Sequence, residues 1–470
     1  MDFDDLDAQA GCRCYDITVH GATGITGCLI VEHLDQLLQQ EGAPTIKWCI
    51  SGRNEEKLKK IASRLKSPPD TLVAESQDDL DYMAEMTSVV IAAAGPYCVI
   101  GQPVVEACVR KNTHYIDVTG EIVYNRRIID AYHEQAKEKG IQIVVMSGFM
   151  SACSDMNIYL LAQKLGPLKF AREYIMNPAS VRGGGSFLSG FSQFEHMTPT
   201  EHSLLIDPFS LGGARKCGVR PEDKDTADAG KDPVFPNVWV CTSFIGHPGV
   251  RVARRSCELF EASDDDVKYG EEVLIQSCDA TFQEGQAKMN AKMAKPPEDM
   301  RKIILNAQAM EDGLMKGTGG IPGHGAPRET RRMCRSEAWA VGENEKGEWG
   351  YVHLQAPEGY EFTSMAAVNG ALVMIQEEHL IKPTERGGVV TPAFAYHGST
   401  FFDRMKEQSW GFYGGKKSKW DVVEGKLDEK TFEDAVRKVD EESKAFIKKM
   451  QLGEVRTQEL PELVTGAHLK

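Results

Sequence analysis

The apolar positions of the first 150 residues fall in short blocks, with polar, helix-forming stretches between them. Residues 15–20 read as a short buried strand, followed by a glycine-rich turn and an amphipathic helix to about residue 40. A second strand is predicted over 46–51, and a Lys- and Glu-rich helix then runs to about residue 66, before Pro68-Pro69. Weaker strand character over 71–74 precedes a clear apolar strand over 88–94, which closes on Gly95-Pro96. The series continues with a helix over 101–111, a strand over 115–118, a helix over 123–139 and a strand over 141–146. Gly140 suits a left-handed cap between the last two. Strands alternating with helices in this way predict a parallel sheet covered on both faces.

After residue 150 the pattern changes. Residues 168–260 hold several strand-like runs, a glycine-rich stretch and long polar loops. Residues 283–335 are polar, with a glycine-rich loop over 317–325. Residues 337–344 and 348–355 read as a hairpin joined by Glu345-Lys346-Gly347, and a helix over 361–377 follows. From 413 onward charges of both signs balance and large apolar groups are few. Within that tail Phe432, Val436, Val439, Phe446 and Met450 form one stripe on a helix over 428–450, opened by Asp428 as N-cap. So narrow a stripe needs a surface to dock on, either its own domain or another subunit or protein.

A chain of 470 residues predicts two or three domains. Its net charge of −15 argues against nucleic acid and anionic membrane surfaces as partners. The acidic start MDFDDLDAQAG resembles no leader segment, and no apolar run approaches the ~20 residues of a bilayer span. Twelve cysteines are scattered without a C-x-x-C pair or zinc spacing; Cys12-x-Cys14 is the nearest approach and reads as two free thiols. These features predict a soluble, cytoplasmic protein without a metal.

The strongest chemical signal is GATGITG, residues 21–27, set directly after the first strand and before the first helix. Gly21, Gly24 and Gly27 permit a tight turn and a close backbone approach to a pyrophosphate, and Thr23, Ile25 and Thr26 place N–H groups at the helix start. The second strand ends in Ser51-Gly52-Arg53-Asn54 rather than an acidic residue. A guanidinium there favours a ribose 2′-phosphate, so the expected cofactor is NADP(H). Ala94, Gly95, Pro96 and Tyr97, then Thr119-Gly120-Glu121, end further strands on the same side, where the nicotinamide would lie. Each of these two turns reads equally as turn chemistry.

Four side chains of the expected cleft are candidate proton donors: Tyr97, Asp117, Glu121 and Asp155. Each has a bland reading: packing on the cofactor for Tyr97, loop hydrogen bonding for Asp117 and Glu121, helix capping for Asp155. Gly183 to Ser186, ahead of a helix-like stretch over 187–196, reads either as a turn or as a site for a substrate carboxylate or phosphate. No Tyr-x-x-x-Lys dyad lies in the first domain, and G-x-S-x-G and H-E-x-x-H are missing from the chain.

GATGITG, SGRNEEKL, AAAGPY, DVTGE and SGFMSACSDM together resemble the saccharopine dehydrogenase-like oxidoreductases, including the trans-acting enoyl reductases. The resemblance extends to RGGGSFLS (182–189), GHGAPRETR (323–331) and GGVVTPA (387–393), covering roughly residues 15–412. It implies an α/β protein: a doubly wound Rossmann domain over 15–150, and a second α/β domain with a mixed sheet over 151–357 that carries substrate and dimer contacts. A segment over 358–412 then returns to the Rossmann domain. Residues 1–14 are left as a flexible start and 413–470 as a charged helical extension. Gly185, Ser186 and Ser189 become the substrate-side candidates. Two departures stand out: 282–312 is polar where some relatives are apolar, which argues against membrane association, and Met150 replaces an Asp usual in the family.

Three functions fit these residues. The first is an NADP(H)-dependent reductase of a C=C or C=O bond in an acyl, lipid or polyketide-type substrate. The second is an imine-forming or imine-reducing dehydrogenase of the saccharopine type, which would need cations such as Arg215, Arg220 and Arg251 to clamp carboxylates. The third is a cofactor-binding scaffold without turnover. A homodimer, and a partner protein held by the C-terminal helix, are the expected assemblies.

Overall fold

The computed structural model describes residues 13–177, 183–225, 228–243, 246–294, 324–377, 379, 386–408 and 417–456. The chain opens with β1 (Tyr15–His20), α1 (Ile25–Leu37), β2 (Trp48–Gly52), α2 (Glu55–Ala62), β3 (Asp70–Val73), α3 (Gln77–Glu85) and β4 (Thr87–Ala92). It goes on through α4 (Tyr97–Ile100), α5 (Gln102–Arg110), β5 (His114–Asp117), α6 (Ile122–Glu138) and β6 (Gln142–Val144). These strands lie in a parallel sheet of order β13-β6-β5-β4-β1-β2-β3, whose outer strand β13 (Gly388–Val390) arrives from far along the chain and pairs with β6. The order reverses between β1 and β4, so their carboxyl ends flank the crevice where ligands of such sheets sit.

The expected elements of this sheet form close to their predicted places. Helix α3 was not foreseen, although its capping box, Ser76 with Asp79, is written in the sequence. Gly140 takes φ +64° after α6, as a left-handed cap requires. Strand β2 is buried along its whole length, as expected of a strand with helices on both faces.

Helix α7 (Phe149–Leu165) leads to β7 (Leu168–Met176), α8 (Gly184–His196) and α9 (His202–Ile206). Then come β8 (Gly230–Lys231), β9 (Trp239–Thr242), α10 (Gly246–Glu261), β10 (Leu274–Thr281) and α11 (Glu284–Ala294). After α12 (Arg328–Arg332), the hairpin β11 (Arg335–Asn344) and β12 (Trp349–Pro357) turns at Gly347, φ +85°. The second sheet has the order β14-β12-β11-β7-β10-β9-β8, with β14 spanning Lys419–Glu424; β7 and β10 are parallel, the other pairs antiparallel. The protein is therefore α/β, a parallel doubly wound sheet beside a mixed one.

Two elements depart from the expected pattern. Residues 246–261, expected as strand-like or loop, form the helix α10. Its Arg251 and Arg254 are buried because carbonyls of Leu205, Asp207, Pro208, Asp223, His247 and Ile275 receive their N–H groups. The charged tail also holds a strand, β14 (Lys419–Glu424), which adds to β12. Helix α13 (Gly359–Gln376) is buried along most of its length and packs on α1, and α14 (Pro392–Tyr396) packs on α7. One hydrophobic core joins residues of both sheets through α7 and α13. The last helix, α16, follows α15 (Phe401–Glu407); it spans Glu429–Gln451 and is capped by Asp428, which accepts from Thr431 N. Its Phe432, Val436 and Val439 bury against Tyr174, Phe235 and Trp339 of the same chain, so this part of the stripe is covered from within. Phe446 lies in a smaller cluster with Ala326 and Cys334, against which Met450 packs. Among the described residues no helix is long and apolar enough to cross a membrane.

Candidate active site at the carboxyl ends of β1 and β4

The turn after β1 divides its glycines between two duties. Gly21 has φ +83°, and a Cβ there would stand 2.6 Å from Ala94 N. A Cβ on Gly27 would overlap the Gly21 carbonyl. The chain's own packing therefore demands both glycines. Gly24 differs: its φ is −81°, and a Cβ would have 3.5 Å to Gly21 O and 4.0 Å to Ala93 O. Among the described residues nothing crowds a Cβ there, and the spare room suits a ligand that approaches the backbone.

Helix α1 starts without a side-chain cap and with no acidic residue in its first turn. Its first helical bond runs from Cys28 N to Gly24 O, so the N–H groups of Ile25, Thr26 and Gly27 lie ahead of it. By contrast α2 and α3 are capped by Asn54 and Ser76 and carry acidic first turns. An uncapped, uncharged N-terminus facing a glycine with spare room fits a pyrophosphate. Arg53 is exposed at the end of β2; burial, together with the Arg53 charge, lowers His20 to about 4. A guanidinium so placed fits a 2′-phosphate. Asn54 spends its side chain on Lys57 N.

The four expected proton donors turn out to be braces. The Tyr97 hydroxyl points inward and donates to Ala92 O at 2.9 Å, while its ring packs on Tyr124. Both carboxylate oxygens of Glu121 are taken, by Tyr97 N and Cys98 N, so this residue fixes the Ala94–Tyr97 turn. Asp117 is wholly buried and accepts from Met146 N, Thr119 N and the Tyr115 hydroxyl; burial pushes it up to about 7. Asp155 lies within α7 rather than at its start. It accepts from Ser256 Oγ and from Ala393 N at 2.8 Å, capping α14 instead of its own helix, and burial raises it to about 7 as well. None of the four presents a free proton to the crevice. Gly120 has open space around its Cα.

Of the substrate-side candidates, Ser189 lies against the Gly95 turn and Ser186 against Tyr360, while a Cβ on Gly185 would meet open space. Helix α8 begins one turn earlier than expected, with Gly183 as N-cap and Gly184, Gly185 and Ser186 in its first turn. A Cβ on Gly183 would lie 3.2 Å from Ile25 Cδ1, and one on Gly95 would lie 3.3 Å from Ser189 Oγ. A Cβ on Gly325 would come within 2.8 Å of Ile25 Cδ1, and His324 O accepts from Gly184 N at 2.8 Å. Arg328 joins Glu32 of α1 at 3.1 Å, and Arg331 joins Glu361 at 2.6 Å. Two segments distant in sequence, at Gly183 and Gly325, thus close on Ile25. Arg182 and Gly323, named in the motifs, lie outside the described residues, as does Cys12.

Sequence reasoning missed Tyr360. Its hydroxyl accepts from Gly183 N at 2.8 Å and lies 2.6 Å from Ser186 Oγ. A tyrosine 174 positions beyond Ser186, with no motif of its own, gives no sequence signal. The arginines weighed as a carboxylate clamp are engaged elsewhere. Arg215 pairs with Asp223, Arg220 donates to Glu272 O, and Arg251 pairs with Asp225.

Residues 17–144 match the family model described as the saccharopine dehydrogenase NADP binding domain. The trans-acting enoyl reductase of Mycobacterium bovis is 31% identical over 268 residues, covering 53% of this chain and 62% of that protein. The lipid droplet localized protein of Caenorhabditis elegans is 30% identical over 240 residues, 48% of this chain and 53% of that protein. The chain thus spans less than two thirds of the length of these relatives. Among solved structures, apo saccharopine dehydrogenase from Saccharomyces cerevisiae aligns over 87% of this chain and 99% of that one, with a TM-score of 0.45 at 12% identity. Residues 17–144 are thus similar to the saccharopine dehydrogenase NADP binding domain, and the cofactor of that domain is NADP(H).

Proposed function

We infer that the chain is an NADPH-dependent reductase acting on a C=C or C=O bond of an acyl, lipid or polyketide-type substrate. The observation that carries this reading is the path of α8, which touches Ile25 beside the pyrophosphate turn and Gly95 beside the nicotinamide turn. A second segment laid across a dinucleotide crevice supports a substrate pocket over the reactive end of the cofactor, as a reductase needs.

In this reading the N–H groups at the start of α1 bind the pyrophosphate and Arg53 binds the 2′-phosphate. Glu121 holds the turn that orients the nicotinamide. The bound cofactor supplies the hydride. Helices α4 and α8 meet over the turn and exclude water, and they leave Val99 and Leu188 with apolar surface exposed beside it, which suits an acyl chain. The relatives named for enoyl reduction and for lipid droplets agree with that substrate class. The prior engagement of Arg215, Arg220 and Arg251 speaks against an amino-dicarboxylate substrate. Residues 15–150 hold the cofactor, 151–357 bring the substrate contacts, and 358–412 brace the two. Unpaired thiols at all eleven described cysteines suit a reducing cytosol.

The experiment follows NADPH absorbance with enoyl-thioester, keto and imine acceptors. Oxidation of NADPH by the enoyl or keto class supports the reading. Turnover confined to imines overturns it in favour of an amino-acid-type dehydrogenase, and cofactor binding without turnover leaves a scaffold.

A further inference from the structure

Resting on the reductase reading above, we propose that the hydroxyl pair of Ser186 and Tyr360 delivers the proton that completes reduction. Ser186 and Ser189 are three residues apart, so they share one face of the start of α8, and Gly183 is the N-cap just ahead of it. Gly183 abuts Ile25 and Ser189 abuts Gly95. Ser186 lies between those two anchor points, on the stretch that bridges the pyrophosphate turn and the nicotinamide turn. Its residue is exposed, unlike Asp117, Glu121 and Asp155, whose oxygens are already spent on the protein.

The Gly183 hydrogen bond favours one direction for the pair. Gly183 N–H donates to the Tyr360 oxygen at 2.8 Å. A hydroxyl that accepts in this way is polarised toward donating its own proton. Ser186 Oγ lies 2.6 Å away and either hydroxyl can donate; in the relay Tyr360 donates, and the Ser186 hydroxyl hydrogen turns to the crevice. Tyr360 is itself held at the start of α13, where Glu358 accepts its backbone N–H at 2.9 Å.

The step balances as follows. The bound cofactor would supply a hydride, carrying two electrons, to one atom of the polarised double bond. The π electron pair moves to the other atom, and the Ser186 O–H bond breaks as its proton goes there. The Tyr360 proton passes to Ser186 Oγ, and a solvent proton restores Tyr360. Ser186 is the catalytic residue, since it meets the reacting atom; Tyr360 acts through it and is a positioning residue.

The test uses the full chain with Ser186→Ala, Ser186→Thr and Tyr360→Phe. NADPH affinity by fluorescence titration should stay near wild type in all three; the melting midpoint should hold in both Ser186 variants and drop a few degrees in Tyr360→Phe, which takes the acceptor from Gly183 N. In the cofactor-free chain, amide exchange at Gly183 should quicken in Tyr360→Phe and not in Ser186→Thr. Turnover should fall about a hundredfold in Ser186→Ala and Tyr360→Phe, with KM for the acceptor little changed, and Ser186→Thr should restore it. The pH profile of turnover should shift in Tyr360→Phe. An active wild type with equally active Ser186→Ala overturns the relay alone. Loss of cofactor affinity and melting temperature in step with turnover overturns it too, reducing the pair to a brace. A wild type that binds NADPH yet reduces no acceptor overturns the reductase reading and the relay with it.

Discussion

Glu121 holds Tyr97 by its backbone: the carboxylate accepts Tyr97 N at 2.9 Å with one oxygen and Cys98 N at 2.8 Å with the other. Two N–H groups at the start of α4 are thereby satisfied by a side chain from the next strand end. A carboxamide can accept only one of them and turns an NH₂ group toward the other. Glu121→Gln should therefore destabilise the fold by about 1–3 kcal/mol and loosen the turn. Affinity for NADPH should fall severalfold, more than affinity for a 2′-phospho-ADP fragment that lacks the nicotinamide. Isothermal titration with both ligands measures the contrast, and equal losses would count against a role confined to this turn.

Arg53 stands exposed at the end of β2, near enough to buried His20 for its charge to act there. Removing it should disturb little of the protein. Arg53→Ala should weaken NADPH about 10- to 100-fold, the range of a charged hydrogen bond to phosphate, and leave NADH almost unchanged. Titrating both nucleotides against both proteins decides this. A preference for NADPH that survives the substitution would move the 2′-phosphate contact elsewhere.

The three glycines of the turn should respond differently. Gly24→Val has room against the chain but fills the ligand's approach, so NADPH binding should fall by more than a hundredfold while the melting midpoint moves little. Gly27→Ala drives a methyl group into the Gly21 carbonyl, so the fold should suffer first. Thermal melts paired with fluorescence titration separate the two. A Gly24→Val protein that binds normally would reduce the motif to a turn.

Local rules account for what was legible in the sequence. The strand–GATGITG–helix order needs only neighbours along the chain, and so do the cap at Gly140 and the helix opened by Asp428. Helix α3 was equally local and was missed, although Ser76 and Asp79 mark its start. What resisted reading was set by distant partners. Nothing near Asp155 announces that Ala393 will claim its oxygen, and nothing near Tyr360 points to Gly183. A carboxylate at a strand end looks the same whether backbone or substrate will occupy it. The buried arginines of α10 likewise depend on carbonyls more than 20 residues away, such as that of Leu205.

Asp155 offers a test by pH. Its folded value, about 7, lies above the ~4 of an unfolded aspartate. The folded chain thus keeps a proton that the unfolded chain has already released. The stability contributed by this group is full below pH ~4 and is lost as pH rises through about 7, after which it stays level. Asparagine carries no such proton. Relative to Asp155→Asn, the wild type should lose about 1.4 kcal/mol per pH unit across that window. Denaturant unfolding of both proteins from pH 4.5 to 8 measures it; a constant difference would mean that the carboxyl does not titrate there.

The C-terminal helix decides whether the charged tail belongs to this fold. Phe432 is fully buried, with ring centroids 4.0 Å from Phe235 and 4.7 Å from Tyr174. Asp440 accepts from Thr281 Oγ1 and Phe282 N, each at 3.0 Å, and Arg335 reaches Glu442. These contacts tie α16 to β10 and β11, so its stripe serves the chain's own second sheet. Phe432→Ala should cost about 3–5 kcal/mol. Ile447, 51% exposed on the same helix, should tolerate alanine within about 0.5 kcal/mol. Truncation after residue 412 removes β14 as well, which strips the partner from the outer edge of β12 and uncovers the apolar face around Trp339. The truncated chain should melt at a lower temperature and aggregate through that edge. Light scattering with thermal melts distinguishes this from a helix that holds another subunit: a clean change of oligomeric mass at unaltered melting temperature would assign α16 to a partner.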